Sequence, residues 1–150
     1  MPNVYYPWTD IQGNTLILEQ LQYSTSQENQ FHRERVLQLN NEQRIAYETI
    51  LQSIGTGQSS QFFLQGSGGC GKTFLYKCIC NYYRSQKEMV LCVASFGIAA
   101  LLLPGGRTSH SRFKIPLPSH SSSTCNISRG TPLAELLLRT KLIIWDEVYI

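Results

Sequence analysis

The sequence predicts an α/β fold built on a parallel sheet, and three observations lead there. The short apolar runs QFFLQ, MVLCVAS and KLIIWDE have strand length and strand composition. Helix-spaced segments separate them, and strands alternating with helices pair in parallel through crossover connections. A cluster of glycines stands where the first run passes into a helix, at a junction where the backbone has to curl.

Each element has its own local reason. Residues 1–36 are polar, glutamine-rich and weakly periodic, so an irregular N-terminal segment is expected ahead of a domain over residues 37–150. Asn40 can cap a helix whose apolar side carries Ala46, Tyr47, Ile50, Leu51 and Ile54, and which Gly55 ends. QFFLQ then reads as a short buried strand. After the glycines, Phe74, Leu75, Cys78, Ile79 and Tyr82 fall at helical spacing, predicting a helix from about Lys72 to Tyr83. MVLCVAS suits a strand covered on both faces. GIAALLL is a short helix stopped by Pro104-Gly105-Gly106, and the serines and prolines from Lys114 to Gly130 describe a long loop. Thr131 caps a further helix with Pro132 in its first turn, and KLIIWDE closes the pattern as a strand ending in two carboxylates.

The glycines have a chemical reading. Gly66-Ser67-Gly68-Gly69-Cys70-Gly71-Lys72-Thr73 satisfies G-x-x-x-x-G-K-[ST] in full. In such a loop, glycines let successive N–H groups point inward at phosphate oxygens, and the following helix adds the positive end of its dipole. Lys72 would reach the β and γ phosphates and the Thr73 hydroxyl would ligate Mg²⁺. Asp146, 74 residues after Lys72, would hold the magnesium shell, and Glu147 would position or deprotonate the attacking water. Paired acids there favour hydrolysis of ATP over transfer to a second substrate.

Composition narrows the classes. An apolar content of 42% in 150 residues suits one globular domain. The net charge of +3 is small, but between Gly105 and Lys141 six basic residues face one acid, Glu135. That segment suits a phosphate backbone, with a solvated face as the plain alternative. Five cysteines, an odd number without a C-x-x-C pair, indicate neither a zinc site nor a disulfide framework, and thiols kept reduced inside the cell are expected. The N-terminus carries no basic region followed by an apolar run, and Ile98 to Pro104 is too short to cross a bilayer. No membrane association is expected.

LNNEQRIAYETI, GSGGCGKTFLY, GIAALLLPGGRTSHSRFKIP and STCNISRGTPLAELLLRTKLIIWDE together resemble the Pif (petite integration frequency) DNA helicases, particularly forms related to Helitron transposon helicases. The resemblance runs from about Leu39 to Glu147. It implies a RecA-like P-loop NTPase core that hydrolyses ATP with Mg²⁺ and translocates five-prime to three-prime on single-stranded DNA. Unwinding of tailed duplexes, with roles in repair, recombination and telomere maintenance, is implied with it, as is a nuclear address, a mitochondrial one staying open. By the same resemblance Gln43 would read the adenine edge, although Asn40 and Gln43 also have capping-box spacing. Ser95 and Gly97 would touch the DNA backbone after the second strand, and Thr108, His110, Ser111 and Phe113 would belong to the next DNA-facing motif.

This sequence departs from the family pattern at Cys70, in place of threonine or another small residue, and at Phe96, in place of a small hydroxyl residue that touches DNA. Phe96 could instead stack on a base. After Glu147 the pattern is again its own, Val148-Tyr149-Ile150. The later strands of the first RecA-like domain, a second such domain and its arginine finger are not among these residues, so an N-terminal portion of a helicase is expected. Two other classes stay open. One is a non-catalytic remnant of a transposon helicase that at most binds nucleotide or nucleic acid. The other is a different P-loop ATPase or phosphotransferase, against which the paired Asp-Glu and the lack of a lid-like arginine cluster both speak.

Overall fold

A computed structural model describes residues 13–147. Seven helices and three strands follow in the order α1 (Thr15–Leu21), α2 (Thr25–Val36), α3 (Asn41–Gly55), α4 (Lys72–Ser85), β1 (Met89–Ala94), α5 (Gly97–Leu102), β2 (Arg107–Thr108), α6 (Ser109–Phe113), α7 (Pro132–Arg139) and β3 (Thr140–Asp146). The three strands form one parallel sheet in the order β2-β1-β3.

β1 is the axis of the molecule, and all six of its residues are buried. Side chains alternate across a strand, so its two sides feed two cores. Val90, Cys92 and Ala94 pack with Leu75, Cys78, Ile79 and Tyr83 of α4, Tyr47 of α3 and Ala99 and Ala100 of α5. Met89 and Leu91 pack on the opposite face with Ile17 of α1 and Leu133 and Leu136 of α7. This two-faced cover is why the run reads as continuous hydrophobic sequence. Leu136 is completely buried in the smaller cluster. Leu136→Ala should therefore cost roughly 2–5 kcal/mol of stability, with little else to fill the space, and a denaturant titration reads it directly.

Helix starts follow the expected chemistry. The Asn40 side chain accepts from the Gln43 N–H while the Gln43 side chain accepts from the Asn40 N–H, closing a capping box on α3. Thr131 Oγ1 accepts from the Ala134 N–H, with Pro132 opening α7.

Two expectations need correction, and a third element goes unannounced in the sequence. Residues 13–36 are not irregular, since α1 and α2 occupy most of them; residues 1–12 lie outside the described ones. These helices leave little periodic trace in the sequence because α2 docks through polar groups rather than an apolar stripe. Asn81 of α4 donates to Glu28 Oε2 at 2.6 Å and accepts from the Arg35 guanidinium. His32 shares a 2.7 Å hydrogen bond with the Tyr47 hydroxyl and its ring lies 5.2 Å from that of Tyr82. Second, QFFLQ joins no sheet: residues 61–65 pair with no strand, and Phe62 and Phe63 are exposed. A strand needs a neighbour to take its N–H and C=O groups, and a groove separates this segment from the edge of β3. Third, β2 is a two-residue strand that nothing in Arg107-Thr108 announces; it forms because the chain leaving α5 is drawn against Val93 and Ala94.

Candidate functional site

The sheet register puts the site's parts at one level. Ala94 of β1 is level with Thr108 of β2 and with Asp146 of β3, and all three strands run the same way. Their carboxyl ends therefore open together, which is where parallel α/β sheets take their ligands.

The glycine loop arrives at this edge between the unpaired segment and α4. Gly69 and Gly71 have φ of +78° and +84°, a backbone region that side-chain-bearing residues rarely adopt. A Cβ on Gly71 would also fall 2.2 Å from Gln43 Nε2. Gly66 to Cys70 are exposed, and α4 starts at Lys72 with its N-terminal N–H groups uncapped by any side chain. The Lys72 ammonium folds back over the loop, donating to the Gly66 carbonyl at 2.6 Å and the Ser67 carbonyl at 3.2 Å, with Cys70 Sγ at 3.8 Å. A cation held above an uncapped helix start makes a place for an oxyanion.

One groove of about 1730 Å³ is lined by Gly66, Gly68 to Thr73, Tyr76, Asp146 and Glu147. It is larger than a small-molecule site needs, because it continues between Phe62, Phe63 and Leu64 on one wall and Leu142 and Ile144 on the other. Its loop end brings the lysine, the Thr73 hydroxyl and both carboxylates onto one surface. Tyr76 was not foreseen, though its place one turn after Lys72 was a signal. Burial, followed by the charges of Asp146 and Cys70, pushes its hydroxyl up to about 12, so Tyr76 stays protonated and walls the groove beside Asp146.

Glu147 sits at φ +51° in the left-handed region. Two bonds hold that turn: its N–H donates to Asp146 Oδ1 at 3.0 Å, and its carbonyl accepts from Ser95 Oγ at 2.7 Å. The residue after β1 is thereby tied directly to the residue after β3.

Gln43 keeps both of its readings. Within the capping box its Nε2 also donates to the Gly71 carbonyl at 3.2 Å, so α3 is fastened to the loop and the amide stands at the loop's rim. Gly97 opens α5, and Thr108 caps α6 by accepting from the Ser111 N–H at 3.3 Å. His110 is half-buried and Ser111 exposed. Phe113 differs from expectation: it is buried, its ring centroid 5.7 Å from that of Trp145, so it supports the sheet rather than facing outward. Phe96, at the position where a small hydroxyl residue was expected, is exposed.

Thr73 and Asp146 offer hard oxygen donors on the loop side of the groove. Such a set fits Mg²⁺, which takes one or two protein oxygens and keeps water and phosphate oxygens as its remaining ligands. Among the described residues no helix is long and apolar enough to cross a membrane.

Residues 38–150 match the family model described as PIF1-like helicase. The chain is 32% identical over 139 residues to the ATP-dependent DNA helicase PIF4 of Trypanosoma brucei brucei, covering 90% of this chain and 16% of that protein. It is 34% identical over 102 residues to the ATP-dependent DNA helicase Pif1 of Psychrobacter sp., covering 67% and 15%. With the ATP-dependent DNA helicase Pif1 of Campylobacter jejuni it shares 33% identity over 93 residues, covering 57% and 21%. The chain thus spans between 15% and 21% of the length of these relatives.

Proposed function

The chain belongs to the PIF1-like helicase family, and we propose that it forms the nucleotide-binding part of an ATP-dependent helicase that moves five-prime to three-prime on single-stranded DNA. The observation that carries this reading is the groove end shared by the glycine loop, Lys72, Thr73, Asp146 and Glu147. In it the loop N–H groups and Lys72 bind the β and γ phosphates, Gln43 reads the adenine edge, and Thr73 and Asp146 hold Mg²⁺. The metal, when bound, neutralises charge developing on the transferring phosphoryl group. Glu147 takes the proton of the attacking water.

The DNA side of the proposal uses the loops at the same sheet edge. Ser95 and Gly97 after β1, and Thr108, His110 and Ser111 around β2 and α6, contact the DNA backbone, with Phe113 behind them as a prop. Arg107 is exposed there, although Glu19 already pairs with it at 2.9 Å. The bond from Ser95 to the Glu147 carbonyl gives strand binding and hydrolysis a shared element. Roles in repair, recombination and telomere maintenance, and a nuclear address, belong to the same proposal and rest on the family resemblance alone.

Residues 1–150 should bind a fluorescent ATP analogue weakly and a tailed single-stranded oligonucleotide detectably at 50 mM salt. DNA affinity should fall about tenfold by 200 mM salt, as for about two neutralised phosphates, because it rests on the basic residues between Arg107 and Lys141. This piece should show almost no DNA-stimulated hydrolysis and no strand separation on a five-prime-tailed duplex with Mg-ATP, because one sheet cannot close on nucleotide against a second lobe. Salt-independent DNA binding, or unwinding above a control without ATP, would overturn the assignment of roles.

A further inference from the structure

Farther along α4 from the glycine loop, two cysteines meet inside the core. Cys80 of α4 and Cys92 of β1, twelve residues apart, have their Sγ atoms 3.2 Å from each other. Both are buried, at 0% and 1% exposure. Two guanidiniums, Arg84 and Arg112, are also buried, at 3% and 4% exposure. Arg84 spends Nη2 on the Val90 and Pro104 carbonyls and lies 4.0 Å over the Tyr23 ring. Its Nε and Nη1, and the Nε of Arg112, are buried without hydrogen-bond partners. Neither arginine is ion-paired to a carboxylate among the described residues. Burying cations without an anion is costly, and both guanidiniums favour the ionised form of Cys92.

We propose that Cys80 and Cys92 are a reversible redox pair, a buried dithiol that closes to an intrachain disulfide on meeting a peroxide. The charges favour this division of labour. The hydrogen bond from Cys80, and then Arg84 and Arg112, pull the Cys92 thiol below its ordinary value against the opposing effect of burial. Cys80 is raised by that same bond and by burial, and so keeps its proton.

In the first step the Cys92 thiolate attacks one oxygen of hydrogen peroxide. An S–O bond forms, the O–O bond breaks, and the departing hydroxide takes up a proton as water. Cys92 is then a sulfenic acid, oxidised by two electrons, and the peroxide has been reduced. In the second step the Cys80 sulfur attacks Cys92. The S–S bond forms, the S–O bond breaks, and hydroxide leaves with the Cys80 proton as a second water. Closure to a disulfide length of about 2.0 Å asks for a movement of about 1 Å, because the sulfurs are already almost in contact. A small uncharged oxidant suits a site this enclosed. The disulfide would tie the helix that begins at Lys72 to the central strand, and an external dithiol would reverse it.

The test is a peptide map of the folded full chain after millimolar hydrogen peroxide, with free thiols alkylated under denaturing, non-reducing conditions. Trypsin places Cys78 and Cys80 together in 78–84 and Cys92 in 88–107. The expected product is these two peptides joined and two hydrogens lighter, with fragmentation locating the bond at Cys80, full reversal by dithiothreitol, and a melting temperature raised by the order of 5 °C. Cys78→Ser should leave the link intact and Cys80→Ser should abolish it. The idea is overturned if both peptides return as alkylated thiols while the exposed Cys70 and Cys125 have oxidised. It is equally overturned if the bond runs to Cys78, or if Cys92 proceeds to a sulfinic acid without a link. The wild-type map is decisive by itself, so the test holds even where a serine variant fails to fold.

Discussion

Lys72→Ala should remove measurable ATP binding and leave the fold as it is. The fold is insensitive because the ammonium has no structural partner beyond the loop it guards. It donates only to the carbonyls of Gly66 and Ser67 and approaches Cys70 Sγ, all exposed. α4 itself is held by Leu75, Cys78 and Ile79 in the core, which the substitution does not touch. Binding is sensitive because the same ammonium, turned outward, would make charge-assisted bonds to two phosphate groups. At about 1.5–3 kcal/mol for each such bond, losing two weakens binding by roughly a hundredfold to ten-thousandfold. A titration with a fluorescent ATP analogue gives the affinity, and a thermal melt of the same sample checks the fold. Equal affinity in the two proteins would sink the phosphate-loop assignment. Equal affinity together with an unchanged melt would do so without recourse to misfolding.

Legibility in the sequence follows the kind of force that fixes each element. β1 and α7 were readable because apolar packing holds them, and apolar packing leaves a periodic trace in the residues. The α3 capping box was readable because its geometry depends on two side chains at fixed spacing. α2 was not, because its anchorage is Glu28, His32 and Arg35, polar residues whose partners Tyr47 and Asn81 are far along the chain. QFFLQ misled for the opposite reason: its composition suits a strand, but strands are made by neighbours, and none lies against it among the described residues. In the site, the loop residues and the acidic pair could be placed from a spacing rule, while the burial of Phe113 against Trp145 could not. Nor could the meeting of Cys80 and Cys92, since nothing in either residue's surroundings marks a cross-element contact.

Glu147→Gln, made in a helicase that carries this chain at full length, should keep Mg-ATP affinity and slow hydrolysis by roughly a hundredfold to ten-thousandfold, the usual contribution of a positioned base. The two adjacent acids differ in how they are held. Asp146 ends β3 in register with Ala94, and its Oδ1 already accepts the Glu147 N–H at 3.0 Å, which fixes the carboxylate toward the groove. Such a rigid oxygen suits a metal shell. Glu147 has its backbone clamped by Asp146 on one side and Ser95 on the other, while its longer side chain lines the groove beyond the strand end. That combination suits a group that must meet a water at a set distance. Glutamine retains the length and the backbone bonds but cannot accept the proton, so the loss should appear in kcat with KM little changed. Asp146→Asn should instead raise the magnesium concentration needed for half-maximal activity, since a neutral amide oxygen is a poorer ligand for a hard cation. Magnesium titrations at saturating ATP, run on both variants, separate the two roles. If both variants lose kcat equally at every magnesium concentration, the acids act as one unit and the division proposed between them is wrong.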